Sequence, residues 1–135
     1  MKNQITLIIV IILGSFLLFS GTIKEVQKKE PWPVPAKYKK MKNPFVSDAD
    51  KERIGRILYS KHCKSCHGTK GKGDGKKAAS LDTPAGDFSD TSFKNQTDGS
   101  LYYKTFFGRD DMPSFKKKIT IAEDQWLLIN YIKKF

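Results

Sequence analysis

A chain of 135 residues with a formal net charge of +11 has room for one small folded domain plus extensions. A basic excess of this size has two usual partners, nucleic acid and acidic protein surfaces. The first is excluded by an export-type opening segment and by the lack of an interleaved aromatic and basic recognition motif. The second, in which charge chiefly raises encounter rates, stands beside plain solvation of surface lysines.

The chain opens on a nearly unbroken apolar run from Ile5 to Phe19, extending to Ile23, behind Lys2. At ~1.5 Å per residue the longer version spans ~28 Å, enough for a bilayer core, and the shorter one fits the apolar region of a signal peptide. Residues 1–23 are therefore expected to be a signal peptide or a membrane anchor. No Ala-x-Ala cleavage site follows, which favours the anchor. Residues 24–46 read as a linker, lysine-rich, with Pro31, Pro33, Pro35 and Pro44 breaking any helix. Pro31-Trp32-Pro33-Val34-Pro35 is expected to run extended as a stiff spacer. Trp32, Tyr38 and Phe45 are costly to leave in water, so part of this segment should pack onto the domain.

The folded domain is expected over residues 47–135. Ser47-Asp48-Ala49-Asp50 is a capping-box-like helix start with acids in the first turn. Behind it, Ile54, Ile57 and Leu58 fall on one helical face, with Gly55 and Tyr59 on a second. That helix runs into Cys63-Lys64-Ser65-Cys66-His67, which uses the only two cysteines and one of the two histidines. Two thiols three positions apart, followed at once by an imidazole, is the spacing of covalent haem c attachment. The sulfurs reach two vinyl groups on one porphyrin edge, while His67 turns over the ring to bind iron. The alternatives explain less. A structural zinc site needs four ligands in a tetrahedron, and His62, Cys63, Cys66 and His67 are crowded together with no second pair elsewhere. A thioredoxin-like dithiol opens a long helix, whereas Gly68, Gly71, Gly73 and Gly75 follow here. A plain disulfide leaves His67 unexplained.

Lys70 to Asn95 is a long loop with little periodicity. In so small a domain such a loop wraps around something, and a haem is a large flat apolar object. A short helix follows, capped by Thr97 or Asp98, with Leu101, Tyr102, Thr105 and Phe106 as its buried stripe and Gly108 as its stop. The last helix is expected to start at Thr120, with Glu123 completing a capping box and Lys133 and Lys134 complementing its C-terminal dipole. No alternating strand run is present, so the domain reads as all-α. Its own core is modest, and a covalent haem would supply the missing apolar mass.

Between the last two helices Met112 follows Gly108-Arg109-Asp110-Asp111 and precedes Pro113. A thioether is a soft ligand that suits ferrous iron and raises the potential of a His/Met haem. Met1 lies in the apolar opening segment, Met41 sits between lysines, and His62 is held on the same side as His67. Filling core gaps is the ordinary work of methionine. A methionine in a turn, flanked by charges and proline, favours ligation, and His67 and Met112 are the expected axial pair.

These segments resemble a class I cytochrome c of the small bacterial monohaem type. The matching pieces are Gly55 to Tyr59, Cys63-Lys64-Ser65-Cys66-His67-Gly68, Gly73-Asp74-Gly75, Leu81, Pro84 and Asp87-Phe88-Ser89. After these come Gly99-Ser100-Leu101-Tyr102, Gly108, Met112-Pro113 and Trp126 to Ile132, so the resemblance spans Ser47 to Phe135. It implies a cytochrome c fold of three to four helices wrapped around one haem c, covalent through Cys63 and Cys66 and ligated by His67 and Met112. It implies further that the first and last helices cross near a right angle, closely at Gly55, with Tyr59, Trp126 and Tyr131 at the contact. The family's Gly-Pro after the haem histidine is missing, since Lys76-Lys77 follow Gly75, and the acceptor for the His67 Nδ1–H is unassigned.

The function implied is one-electron transfer between acidic redox partner proteins, a donor and an acceptor, with no nucleic acid involved. The expected location is the periplasmic side of the inner membrane, anchored by residues 5–23, or the soluble periplasm if the segment is cleaved. This follows from where the family acquires haem; Lys24, Lys28, Lys29 and Lys37 after the apolar run favour the opposite orientation by the positive-inside rule. Arg109 is a candidate for a haem propionate or a partner carboxylate, and Lys64, Lys70, Lys72 and Lys116 to Lys118 are candidate docking charges. Two alternatives stay open: a haem-bearing subunit of a larger membrane oxidoreductase complex, and an open-site haem enzyme or sensor in which Met112 is not bound.

Overall fold

The computed structural model describes residues 31–45 and 49–135. The apolar segment, the start of the linker and the Ser47-Asp48 cap lie outside the described residues. Residues 31–35 run without regular structure into a single helical turn, α1 (Ala36–Lys39), behind Pro35. The second helix, α2 (Ala49–His62), carries Asp50 and Glu52 in its first turn and Lys61 and His62 in its last, the charge order its dipole favours. One further turn, α3 (Lys64–His67), completes the cysteine motif. The loop beyond it contains a 3-10 turn at Ala78–Ser80 and one turn of helix, α4 (Thr91–Lys94). The chain ends with α5 (Asp98–Phe107) and α6 (Ala122–Ile132). Among the described residues there is no β-strand, and the fold is all-α, three longer helices joined by single turns.

The axis of the core is α6. Gln125, Trp126, Leu127, Leu128, Ile129 and Ile132 are all buried, so this helix meets protein on nearly every side. Leu127, Leu128 and Ile129, with Phe106 of α5, are the largest fully enclosed side chains, each worth about 1.5–3 kcal/mol of transfer free energy. The backbone of α2 lies against α6 at Gly55, where an added Cβ would sit 2.5 Å from the Leu127 carbonyl oxygen and 2.8 Å from the Tyr131 Cβ. Tyr59, one turn on, packs its ring 5.5 Å from that of Tyr131. On another side Trp126 stacks on Tyr102 of α5 at 4.5 Å. Gln125 is buried but satisfied: it accepts from the Tyr102 hydroxyl at 2.5 Å and donates to the Ile119 carbonyl at 2.7 Å.

Three expectations change. The approach of α2 to α6 at Gly55, with Tyr59 beside it, is as expected, but Ile57 of the apolar face is 51% exposed, because close approach to α6 is available only where the side chain is missing. The last helix begins at Ala122 with Ile121 as its N-cap and no side-chain cap. Glu123 does not turn back to close a capping box, because its carboxylate pairs with Lys51 of α2 at 3.2 Å. Lys133 and Lys134 reach Asp98 of α5 and Glu52 of α2, joining helices rather than resting on their own carbonyls. The cap of α5 is as expected: the Thr97 hydroxyl accepts from the Ser100 N–H.

Residues 32–45 belong to the same compact unit as the domain. The Tyr38 ring lies 4.8 Å from Tyr103 and 5.2 Å from Phe107, on the outer side of α5. Asn43 Nδ2 donates to Asn130 Oδ1 at 2.8 Å, and Asn130 Nδ2 donates to the Phe45 carbonyl at 3.1 Å. This stretch is a strap across α5 and α6, as the cost of exposing Tyr38 and Phe45 suggested.

Candidate haem site

Cys63 does not leave the helical path when α2 ends. Its N–H reaches the Tyr59 carbonyl at 2.9 Å, and its own carbonyl accepts from Cys66 and His67 at 3.2 and 2.9 Å. Cys63 and Cys66 thus sit one helical turn apart on neighbouring surface positions, with His67 beside them. Both thiols are free, Cys63 in the core and Cys66 half-buried. Burial, with the neighbouring Cys66 second, pushes the Cys63 thiol up to about 12. A catalytic dithiol needs the opposite shift. Among the described residues no three His, Cys, Asp or Glu side chains group to hold a metal ion, so the zinc alternative finds no ligand set. His62 turns to Phe115, 5.9 Å between ring centroids, as a packing residue.

The loop after the motif folds back on it. Gly73 donates to the His67 carbonyl at 2.9 Å, Gly75 to that of Cys66 at 3.1 Å, and Lys77 to that of Ser65 at 2.8 Å. These bonds satisfy the carbonyls that the short α3 leaves open. Phe88, anchored by its N–H on the Gly71 carbonyl at 2.7 Å, lays its ring 4.6 Å from the His67 imidazole and stacks on Phe93 at 4.4 Å. His67 Nδ1 is shielded from solvent. The Tyr59 hydroxyl donates to the Gly68 carbonyl at 2.6 Å, tying α2 to the end of the motif.

Met112 is presented by a tight turn. Gly108 ends α5 with φ 71, a conformation glycine adopts without strain, and its missing side chain leaves room for the Met112 carbonyl, 2.4 Å from where a Cβ would be. Arg109 and Met112 exchange both backbone hydrogen bonds at 2.9 Å, with Asp110 at φ 52 between them. The Asp111 carboxylate accepts from the Thr83 N–H at 2.8 Å, so this turn is tied to the loop that follows the cysteine motif. Met112 is half-buried against the apolar cluster that contains Cys63, Phe88, Leu101, Phe106 and Phe115. Cys63 and Met112 therefore border one core, with His67 on its Phe88 edge.

The other candidates are placed as follows. Arg109 holds Asp110 at 3.0 Å and lies over the Trp32 ring at 4.8 Å. Lys72 pairs with Asp87 at 3.1 Å, and the Asp87 carboxyl is held below the usual carboxylate range chiefly by the Ser89 side chain and N–H. Lys116 and Lys118 lie over Phe107 and Phe115, while Lys64, Lys70 and Lys117 are exposed. Trp32 was missed as a contributor to this margin. Its signal was an indole in a proline-rich stretch, too costly to solvate.

Two free thiols one turn apart, an imidazole with a shielded Nδ1, and a lining of Phe, Leu and Tyr fit a porphyrin attached through its vinyl edge. An all-α fold built on that motif defines a c-type cytochrome domain. Residues 50–132 match the family model described as cytochrome C oxidase, cbb3-type, subunit III, and the chain belongs to that family. Its cofactor is covalent haem c. A solved chain of the reducing HAO-like protein complex of Kuenenia stuttgartiensis is similar, with 25% identity and a TM-score of 0.58 over 78% of this chain. The present chain spans 50% of that one's length. No curated protein matches.

Proposed function

We propose that this chain is a one-electron carrier whose haem, held through Cys63 and Cys66, is ligated by His67 on one face and Met112 on the other. The observation that carries the reading is the Met112 turn, closed by paired Arg109 and Met112 backbone bonds and fastened to the post-motif loop through Asp111 and Thr83. A side chain that only fills a gap needs no such fixing. When bound, the haem supplies the reversible one-electron couple. The protein does the rest. His67 is set by the helical turn of the motif and the Phe88 ring, and Met112 by its turn. Phe88, Leu101, Phe106 and Phe115 keep water out. With both faces filled by these side chains, no position would be left for oxygen or peroxide.

The partners proposed are acidic redox proteins, a donor and an acceptor, met outside the cytoplasm, with residues 5–23 as a membrane anchor or a cleaved export signal. A second reading, a haem-bearing subunit of a larger complex, is favoured by the family's description as an oxidase subunit and by a structural neighbour that belongs to a complex. Co-purification after mild solubilisation separates it from a free carrier.

Met112→Ala is the test of ligation. The ferric holoprotein is expected to lose its long-wavelength sulfur–iron band, its potential should fall, and the ferrous form should bind carbon monoxide. An unchanged spectrum and potential would remove Met112 from this role and favour the open-site enzyme or sensor.

A further inference from the structure

We infer that Trp32 is a positioning residue for Met112: by holding the Arg109 side chain it keeps the Met112 turn closed. This rests on the reading that Met112 ligates the iron. The strap that carries Trp32 lies outside residues 50–132, the part matched by the family model.

The turn has an internal cost. Asp110 sits at φ 52, a left-handed conformation that aspartate tolerates better than most residues with a side chain but that still favours a turn held from outside. Arg109, the residue before it, is the turn's largest handle. Its side chain is 25% exposed, with the guanidinium between the Asp110 carboxylate at 3.0 Å and the Trp32 ring at 4.8 Å. The same indole receives Lys104 of α5 at 5.7 Å, so Trp32 bridges the helix that leads into the turn and the turn itself.

Trp32 can act as a fixed support because its own backbone is held. Pro31, Pro33 and Pro35 restrict the backbone on either side of it. Tyr38 packs on Tyr103 and Phe107, and the strap crosses α5 so closely that a Cβ on Gly99 would lie 1.9 Å from the Tyr38 carbonyl oxygen. The Asn43–Asn130 pair then fastens the strap to α6. A continuous path of contacts runs from the core helix through the strap to Arg109 and so to Met112.

Opening this turn exposes the second iron face to an external ligand and requires Arg109 to give up the indole. An external ligand's apparent affinity scales with the fraction of molecules that are open. Removing one cation–π contact of this kind should raise that fraction about 3- to 10-fold.

The experiment is an imidazole titration of the ferric holoprotein, followed by absorption, for the wild type, Trp32→Ala, Trp32→Phe, Arg109→Gln, Met112→Ala and the Trp32→Ala/Met112→Ala pair. Denaturant unfolding of each variant runs in parallel. Trp32→Ala is expected to bind imidazole about 3- to 10-fold more tightly, with Arg109→Gln similar and Trp32→Phe, which keeps an aromatic face, in between. Met112→Ala should bind more tightly still, and adding Trp32→Ala to it should change nothing. If Met112→Ala gains affinity while Trp32→Ala and Arg109→Gln match the wild type, the Trp32 inference is overturned and ligation by Met112 stands. A full Trp32 effect persisting in the double variant also overturns it, because the indole would then act without Met112. If Met112→Ala binds imidazole as the wild type does, the ligation reading fails and takes this inference with it.

Discussion

Tyr59 stands where the two halves of the site are joined. Only 2% of it is exposed; its ring meets Tyr131 at 5.5 Å and Phe135 at 5.0 Å, and its hydroxyl donates to the Gly68 carbonyl just past the haem motif. Burial above all raises its phenol well beyond the ordinary tyrosine range. The sign follows directly. An unfolded tyrosine releases its proton near pH ~10 while the folded one keeps it, so the stability this group contributes is complete below that pH and is lost as pH rises above it. Tyr59→Phe should cost about 1–3 kcal/mol at neutral pH, through the Gly68 carbonyl left without its donor. It should also flatten the alkaline decline in stability. Denaturant unfolding of the ferrous holoprotein at a series of pH values reads both effects, and an identical alkaline slope in the variant would discount Tyr59.

At the level of elements, legibility in the sequence divides along local and distant causes. The cysteine motif, the Thr97 cap and the Gly108 stop were readable because each is fixed by residues a turn away. The start of α6 was misplaced because Glu123 is drawn to Lys51 on another helix, a partner no window of sequence contains. The exposed Ile57 had the same kind of origin, an approach of α6 that depends on the whole fold, whereas the contact at Gly55 was legible through the family resemblance. The strap was legible as aromatic residues in need of cover, not as α1 or as the neighbour of Arg109. Gly99 tests how the strap is held. Within a helix, Gly→Ala ordinarily adds about 1 kcal/mol of stability. Here the new methyl group would meet the Tyr38 and Met41 carbonyl oxygens at 1.9 and 2.7 Å, both backbone atoms that cannot swing aside. Gly99→Ala should therefore lift the strap and accelerate tryptic cleavage among Lys37, Lys39, Lys40 and Lys42 severalfold. Unchanged cleavage kinetics would show that the methyl group is accommodated without lifting the strap from α5.

For the molecule as a whole, the question is which sign of charge an approaching partner meets. The net charge is +11, and the pairs of Lys72 with Asp87, Lys133 with Asp98 and Lys134 with Glu52 add nothing to it, so the excess is carried by other lysines. Exposed lysines remain on both margins of the site: Lys64, Lys70, Lys76 and Lys77 beside the cysteine motif, and Lys116 to Lys118 beyond the Met112 turn. Against them stand Asp110 and Asp111, exposed next to Met112 itself. Arg109 neutralises Asp110, while Asp111 keeps its charge although its carboxylate accepts from the Thr83 N–H; one negative charge set against these lysines leaves them dominant at the range of a docking encounter. Raising ionic strength from about 0.01 M to about 0.15 M shortens the screening length from roughly 30 Å to roughly 8 Å. Over that interval, oxidation of the ferrous protein by an anionic metal complex such as ferricyanide should slow by about tenfold, while a cationic complex should react faster. Stopped-flow rates with the two oxidants give the sign of the charge where electrons leave. If the anionic oxidant speeds up with salt, electrons exit beside Asp110 and Asp111, and the partner's docking face must be basic rather than acidic.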